Sequence, residues 1–375
     1  MFRSQKFSLQ TTSRLVLSAA LVFATIALVS MPAAAQRSQP TILTSDIANI
    51  SAFTDANLVN PWGIAASAGS PWWVSDNGTG LSTLYDGTGK PQALVVSISQ
   101  WDGTPGGNPT GIVFNGTSDF KIGGNATHFL FATEDGTIQG WSSGNSAVIS
   151  PVNNFPNAVY KGLALDSAGG ANYLYVANFR NASVDVYDGS FAPHSFGAGR
   201  FSDNTLPAGY APFNVQSLGN GQIAVAYAEQ DADKHDEVAG IGKGFITVYD
   251  TSGNLKFRLQ HVIYDNAPWA MVVAPQGFGG FGGDILVGMF GSGAIAIYDP
   301  TGKFLGILFD PYDLNLGING LWGLGFGNGG SSGPKTTLYF AAGTFDEAHG
   351  TFGSIVALSG PLSTTKPQVN IIKQW

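Results

Sequence analysis

Cysteine is absent from this chain of 375 residues, so neither disulfides nor thiolate metal sites can hold it together, and stability has to come from buried area. Charge is scarce as well: 11% of residues are Asp, Glu, Lys or Arg, with 17 basic against 25 acidic and a net charge of −8 at pH 7. Such an acidic balance excludes the electrostatic footprint of a nucleic-acid binder or of a protein held on anionic lipid. Five histidines are few for a histidine-built metal centre, and no His-Glu-x-x-His pair occurs. The phosphate cradle Gly-x-x-x-x-Gly-Lys-Ser/Thr is missing too. Asp346-Glu347-Ala348-His349 therefore spells a helicase box without the loop that such a box needs. Beyond residue 35 no apolar run approaches the roughly twenty residues required to cross a bilayer as a helix.

What is present begins with an N-terminal targeting pattern. Arg3, Lys6 and Arg14 form a basic start, Leu15 to Val29 an apolar run, and Ala33-Ala34-Ala35 before Gln36 a small-residue cleavage site. Residues 1–35 are expected to be a signal peptide, and 36–375 a single mature domain, periplasmic or secreted from a bacterium. Loss of three basic and no acidic residues takes the net charge from −8 to −11. The 51 glycines and 44% apolar residues describe a turn-rich all-β protein rather than a disordered one.

A short phrase then recurs six times: Pro61-Trp62-Gly63-Ile64, Pro109-Thr110-Gly111-Ile112, Tyr160-Lys161-Gly162-Leu163, Pro212-Phe213-Asn214-Val215, Pro268-Trp269-Ala270-Met271 and Leu321-Trp322-Gly323-Leu324. Its third positions step by 48, 51, 52, 56 and 53 residues. A period near fifty carried by strand-like segments is that of a propeller, because one small sheet cannot bury both its faces and must stack on neighbours. Each unit parses into an inner strand, an apolar second strand such as Tyr173-Leu174-Tyr175-Val176, a third strand ending on an aromatic, and an outer strand. Asp86, Asp188, Asp250 and Asp299 follow that aromatic and read as turn formers. Glycine in the opening phrase reads as a site of close backbone approach around the axis. The fold expected is a six-bladed β-propeller of four-stranded blades, with residues near 41 to 47 closing the last blade. Repeat four is irregular, carrying Glu229 to Gly244 between its second and third strands.

These residues resemble the six-bladed propellers built of NHL repeats, through the Pro-x-Gly-Ile opening, the Val-x-Asp strand end and the Tyr-Asp turn. The chain is more closely similar to a family of exported bacterial proteins. That match runs through Asn60 to Ile64, Trp73 to Gly80, Phe131 to Gly136, Ala177 to Asn181, Pro207 to Asn214 and Asp346 to Gly350. The resemblance implies the propeller fold and export, and it carries over no catalytic residue. The sorting segment found in some members has no counterpart in Gln368 to Trp375, which lacks a hydrophobic tail.

Candidate site residues follow from blade symmetry. The ends of the second strands place Asp76, Glu134, Asn178 and Glu229 at like positions in four consecutive blades, an arc of oxygens suited to one divalent cation such as Ca²⁺. A metal there would activate water, as in a lactonase-like hydrolase. The competing reading makes the same side chains caps of their own turns. Asp231, Asp233, His235, Asp236 and Glu237 crowd the repeat-four insertion, but without the glycine and distal Glu of an EF-hand loop they read as a solvated acidic excursion. Trp62, Trp269 and Trp322 sit at equivalent openings, either offering rings to a ligand or packing between blades. Arg180 is positioned to meet an anion or to pair with Asp76 or Glu134, and His349 to act as base or ligand or simply to hold its own loop. The function favoured is a non-enzymatic platform, expected to be monomeric, binding a small molecule, glycan or protein at the ring face. The metal-dependent hydrolase is the alternative.

Overall fold

Runs of β-branched and aromatic residues separated by Asp- and Gly-rich turns give strands and turns only. The computed structural model describes residues 37–358, and no helix occurs among them. The expected signal peptide lies outside the described residues. Six small antiparallel sheets follow one another around a ring, each with the inner strand first. The first blade runs Pro61–Ala65, Trp72–Asp76, Leu81–Tyr85 and Val96–Ser97, and the third Tyr160–Ala168, Ala171–Asn178, Ser183–Asp188 and Pro193–His194. Blades one to five each supply four strands from consecutive sequence.

The sixth blade cannot do so, because its own segment contributes only Leu321–Phe326, Thr337–Thr344 and His349–Ala357. Ser38–Ser45 fills the vacant edge, antiparallel to the last of these, with Ser38 opposite Ala357 and Ser45 opposite Thr351. Closure as expected from the sequence thus joins the two ends of the described chain, and no sheet edge is left open at the seam. Between blades the contacts are aromatic and aliphatic. Trp73 stacks on Phe129 at 4.2 Å across the first and second blades, and Tyr85 on Phe352 at 5.2 Å across the first and sixth.

Turn chemistry repeats with the blades. Asp86 accepts from the amides of Thr88 and Lys90 (2.8 and 3.2 Å), Asp250 from Ser252 and Asn254 (both 2.9 Å), and Asp299 from Thr301 and Lys303 (2.8 and 3.0 Å). Gly89, Gly253 and Gly302 then take positive φ of 86°, 77° and 90°. In the third blade Phe191 occupies that position at φ 66°, its ring buried against Phe120.

The opening phrase is where sequence and geometry meet most tightly. In all six blades the pairing of first with second strand slips at this phrase, a β-bulge in each case. A bulge re-aims the side chains around it. The glycine of the phrase faces the next blade's backbone: a Cβ on Gly63 would lie 2.7 Å from Thr110 O, on Gly111 2.7 Å from Leu163 N, and on Gly323 2.6 Å from Trp62 O. Where the fourth blade has Asn214 instead, its Nδ2 donates to Trp269 O at 2.7 Å and tethers the same junction. Gly111→Ala is therefore expected to destabilise the protein by about 1–3 kcal/mol or more, since backbone cannot yield as a side chain does. Gly69→Ala, whose Cβ would meet nothing within 4 Å, should change stability by no more than about 0.5 kcal/mol. Urea midpoints measured at unchanged m-value decide it, and equal midpoints for the two variants would refute the close-approach argument.

Candidate functional site

The second residue of each opening phrase is Trp62, Thr110, Lys161, Phe213, Trp269 or Trp322, and the bulges carry several of them across the axis. Trp62 of the first blade reaches Trp269 of the fifth at 6.2 Å, and Phe213 of the fourth reaches Trp322 of the sixth at 5.7 Å. Trp62 and Trp322 stack at 3.6 Å, and Phe290 covers Trp322 at 4.0 Å. Trp62, Phe213, Trp269 and Trp322 are 0–4% exposed, and Phe290 is half-buried. They form an apolar plug whose faces are taken by one another, the packed alternative of the two sequence readings for Trp62, Trp269 and Trp322. Below them the bore narrows to a cavity of about 10 Å³, room for roughly one water. No ligand can pass along the axis in this arrangement.

Above the plug sits a polar network centred on Lys161. This side chain is wholly buried, with Nζ 2.5 Å from Glu134 Oε1, 3.0 Å from Asp236 Oδ1 and 5.0 Å from the centre of the Trp62 ring. Burial alone would lower its basicity, but the fields of Glu134, Asp236 and Glu237 and the hydrogen bond to Glu134 outweigh it and hold the ammonium above its ordinary value. Asp236 is held below the usual carboxylate range, first by the hydrogen bond with His235 at 2.9 Å and then by Lys161. The same bond raises His235. Desolvation, with Glu347 and Asp236 nearby and Lys161 only partly compensating, pushes Glu237 up to about 7. Burial first, and the field of Glu134 second, raise Glu347 as well. Glu347 lies in a turn where Phe345, Asp346 and Glu347 all have positive φ (56°, 50° and 65°), and its Oε1 accepts from Trp322 Nε1 at 3.1 Å.

The repeat-four insertion remains largely exposed, as its composition suggests, with 61% of the Asp236 side chain open to solvent, but it does not simply project away from the ring. It folds back over the ring mouth and delivers Asp236 to Lys161, because a fully desolvated ammonium demands carboxylate partners. Sequence reasoning passed over Lys161 altogether. Its signal was nevertheless visible: a single lysine stands where the other five phrases carry Trp, Thr or Phe.

The four oxygen candidates go to different partners. Asp76 Oδ2 accepts from Thr83 N at 2.9 Å inside its own sheet, and burial raises this carboxyl well above the usual range. Asn178 accepts from Asn181 N at 3.3 Å and donates to Asp185 at 2.8 Å, while Glu229 pairs with Lys243 at 2.9 Å across the base of the insertion. Only Glu134 of the four belongs to the central network, where Asn77 also donates to it at 3.0 Å. Glu134, His235 and Asp236 do bring one ligand atom each within 4.8 Å of one another. Between two of them lies the ammonium of Lys161, which supplies the positive charge a metal would bring. His349 pairs with Asp46 at 2.6 Å, beside the seam made by the closing strand.

Arg180 has neither of its expected carboxylate partners, since Asp76 is bound to Thr83 and Glu134 to Lys161 and Asn77. Its Nε is enclosed without a hydrogen-bond partner. The residue lines a cleft of about 410 Å³ between the second and third blades, together with Asn108, Glu134, Asp135, Phe155 and His235. The cleft and the Lys161 network share Glu134 and His235.

No protein-family model matches the chain. Two proteins of Acanthamoeba polyphaga mimivirus, the uncharacterized proteins R648 and L690, are each 30% identical to it, over 84% of this chain and 78% of R648, and over 82% of both chains for L690. These relatives are viral, where the sequence resemblance had pointed to exported bacterial proteins. Among solved structures, a streptogramin B lyase (TM-score 0.51, 11% identity, 86% of this chain and 98% of that one) and virginiamycin B lyase from Staphylococcus aureus (0.50, 10%, 86% and 100%) share the propeller fold. At such identity the likeness concerns the fold alone.

Two outcomes follow from the network. Lys161→Met leaves half-buried Glu134 beside the more exposed Asp236 with no cation and is expected to cost about 1–3 kcal/mol in urea unfolding. Added millimolar Ca²⁺ should raise the melting temperature of that variant and leave the wild type unchanged; a rise in the wild type would mean that a metal displaces the ammonium. For Glu237 the folded value is above the unfolded one, so the folded state holds the proton longer. Stability should fall as pH rises from about 4.5 to about 7 and then level off, by at most about 3 kcal/mol from this group. His235, raised by Asp236, loses its contribution in the same direction as pH passes through its folded value. Glu237→Gln should flatten most of the slope, and an unchanged pH profile of melting temperature would contradict the assignment.

Proposed function

Since the chain belongs to the family of the mimivirus proteins R648 and L690, we propose a function read from the ring face: an exported, non-enzymatic platform that binds a small anionic ligand in the cleft between the second and third blades. One observation carries the reading. Arg180 lines a cleft of about 410 Å³, a volume within the usual range of small-molecule pockets, and its Nε is enclosed without a hydrogen-bond partner. An enclosed donor without an acceptor is costly, so a small turn of the Arg180 side chain toward a carboxylate or phosphate oxygen in the cleft is favoured, and that bond is charge-assisted. The remainder of the mouth is already satisfied, with Lys161 neutralised by Glu134 and Asp236. The N-terminal targeting pattern supports export.

A divalent-metal hydrolase is the second reading, now placed on Glu134, His235 and Asp236 rather than on the expected arc. It requires Lys161 to move aside, which is why it ranks second. The chemistry of the two lyases that share the fold forms no part of either reading.

A thermal-shift series with acetate, benzoate and inorganic phosphate, run beside Ca²⁺ and Mg²⁺, separates them. The platform reading expects at least one anion to raise the melting temperature of the wild type and not that of Arg180→Met. Absence of any Arg180-dependent shift would overturn it. A cation-dependent rise joined to hydrolysis of a simple lactone, both lost in Glu134→Gln, would establish the hydrolase instead.

A further inference from the structure

Two large aromatics stand out of the core at the edge of the same cleft. Phe155, which lines it, is 42% exposed, and Trp101, from the loop that joins the first blade to the second, is 39% exposed. Their rings are parallel, 4.3 Å apart with an interplanar angle of 0°. Asn153 donates from Nδ2 to Trp101 O at 2.8 Å and so fastens the loop to the segment that carries Phe155. Trp73 and Phe129, by contrast, close a gap between blades. Here the pair instead faces solvent, where its apolar surface gains nothing from folding.

The polar lining of the cleft restricts what such a pair would bind. Asn108, Glu134 and Asp135 offer mostly acceptor oxygens, which suit a ligand rich in hydroxyl donors. Arg180 is the complementary cation, and its planar fork takes one carboxylate through two parallel bonds. A doubly charged phosphate would set a second negative charge near Glu134 and Asp135, a cost that a single carboxylate avoids. A purely aromatic acid would satisfy Arg180 and Phe155 but make no use of the remaining lone pairs of Glu134, which already accepts from Lys161 and Asn77, of Asp135, which accepts from Thr133, or of the Asn108 carbonyl.

We propose that this cleft recognises an acidic sugar, a pyranose bearing one carboxylate, with the carboxylate on Arg180, the hydroxyls on Glu134, Asp135 and Asn108, and the C–H face of the ring on Phe155 backed by Trp101. The inference rests on the anion-binding reading of the cleft given above and adds the body of the ligand to it. The two exposed rings supply a flat apolar surface, and the acceptor-rich wall supplies specificity for hydroxyls. Recognition needs no metal and no bond making.

Isothermal titration of the mature chain with D-glucuronate and with digalacturonate tests it, with glucose, glucose 6-phosphate and benzoate as comparators. The uronates are expected to bind, with glucose weaker by about tenfold or more because it lacks the carboxylate. Arg180→Met and Phe155→Ala should each weaken uronate binding by about tenfold or more, while Arg200→Ala, an exposed arginine outside the cleft, should bind as the wild type does. Phe155 and Arg200 are exposed and Arg180 is half-buried, and matching melting temperatures show that the variants fold. If benzoate or glucose 6-phosphate binds through Arg180 and the uronates do not, the sugar inference fails while the anion site stands. If uronate binding survives Phe155→Ala unchanged, the stacking platform is wrong. If no probe binds at about 10 mM, a limit near 3 kcal/mol of binding free energy, both the inference and the reading beneath it fail.

Discussion

Six inner strands have to converge on one axis, and the room left there is less than a methyl group. At Gly63, Gly111 and Gly323 the missing Cβ is replaced by the backbone of the next blade at 2.6–2.7 Å. Everything else about the ring follows from that crowding. Strands that approach so closely cannot pair in register with their own second strands all the way up, so each slips by a bulge at the opening phrase. The bulge in turn sends the residue before the glycine across the axis. The repeat therefore makes two things at once: a spacing rule for the backbone and a set of six side chains that fill the centre.

Filling the centre has a functional consequence. A bore plugged by Trp62, Trp269, Trp322 and Phe213 offers no axial passage, and the chemistry is displaced to the rim. One of the six central positions carries a charge. Lys161 brings a positive charge into a desolvated place, and the molecule answers with Glu134 from the second blade and Asp236 from the fourth. The insertion that carries Asp236 is the irregularity of the fourth repeat, and the ion pair explains where it goes. A buried pair of this kind adds little net stability but strongly disfavours any arrangement that leaves the charge alone, so it specifies how the insertion docks. With Glu134 engaged on Lys161 and Asn77, Arg180 is left facing the cleft alone. The unpartnered Nε of Arg180 and the paired ammonium of Lys161 are thus two results of one allocation of carboxylates.

Much of this architecture is readable along the chain. The period near fifty, the need for an N-terminal strand in the last blade, the Asp turns and the bounds of the insertion between Glu229 and Phe245 are all local or repeated features. Hydrogen bonds within four residues and strand patterns of five to eight residues leave marks that six copies reinforce. The close approach at the glycines was readable as well, because only the loss of a side chain relieves it.

What the tertiary structure decided is which residues meet. Asp76, Asn178 and Glu229 occupy the equivalent positions that symmetry assigns them, yet each is drawn to the nearest donor of its own blade or insertion rather than to a common centre. Trp62 and Lys161 lie 99 positions apart in the sequence and touch only because two bulges turn them toward the same axis. Periodicity determined the ring, since each blade repeats the same short-range pairing and turn geometry. The site depended on contacts between blades, where a single buried charge selects its partners by desolvation and distance, and no pattern along the chain encodes either.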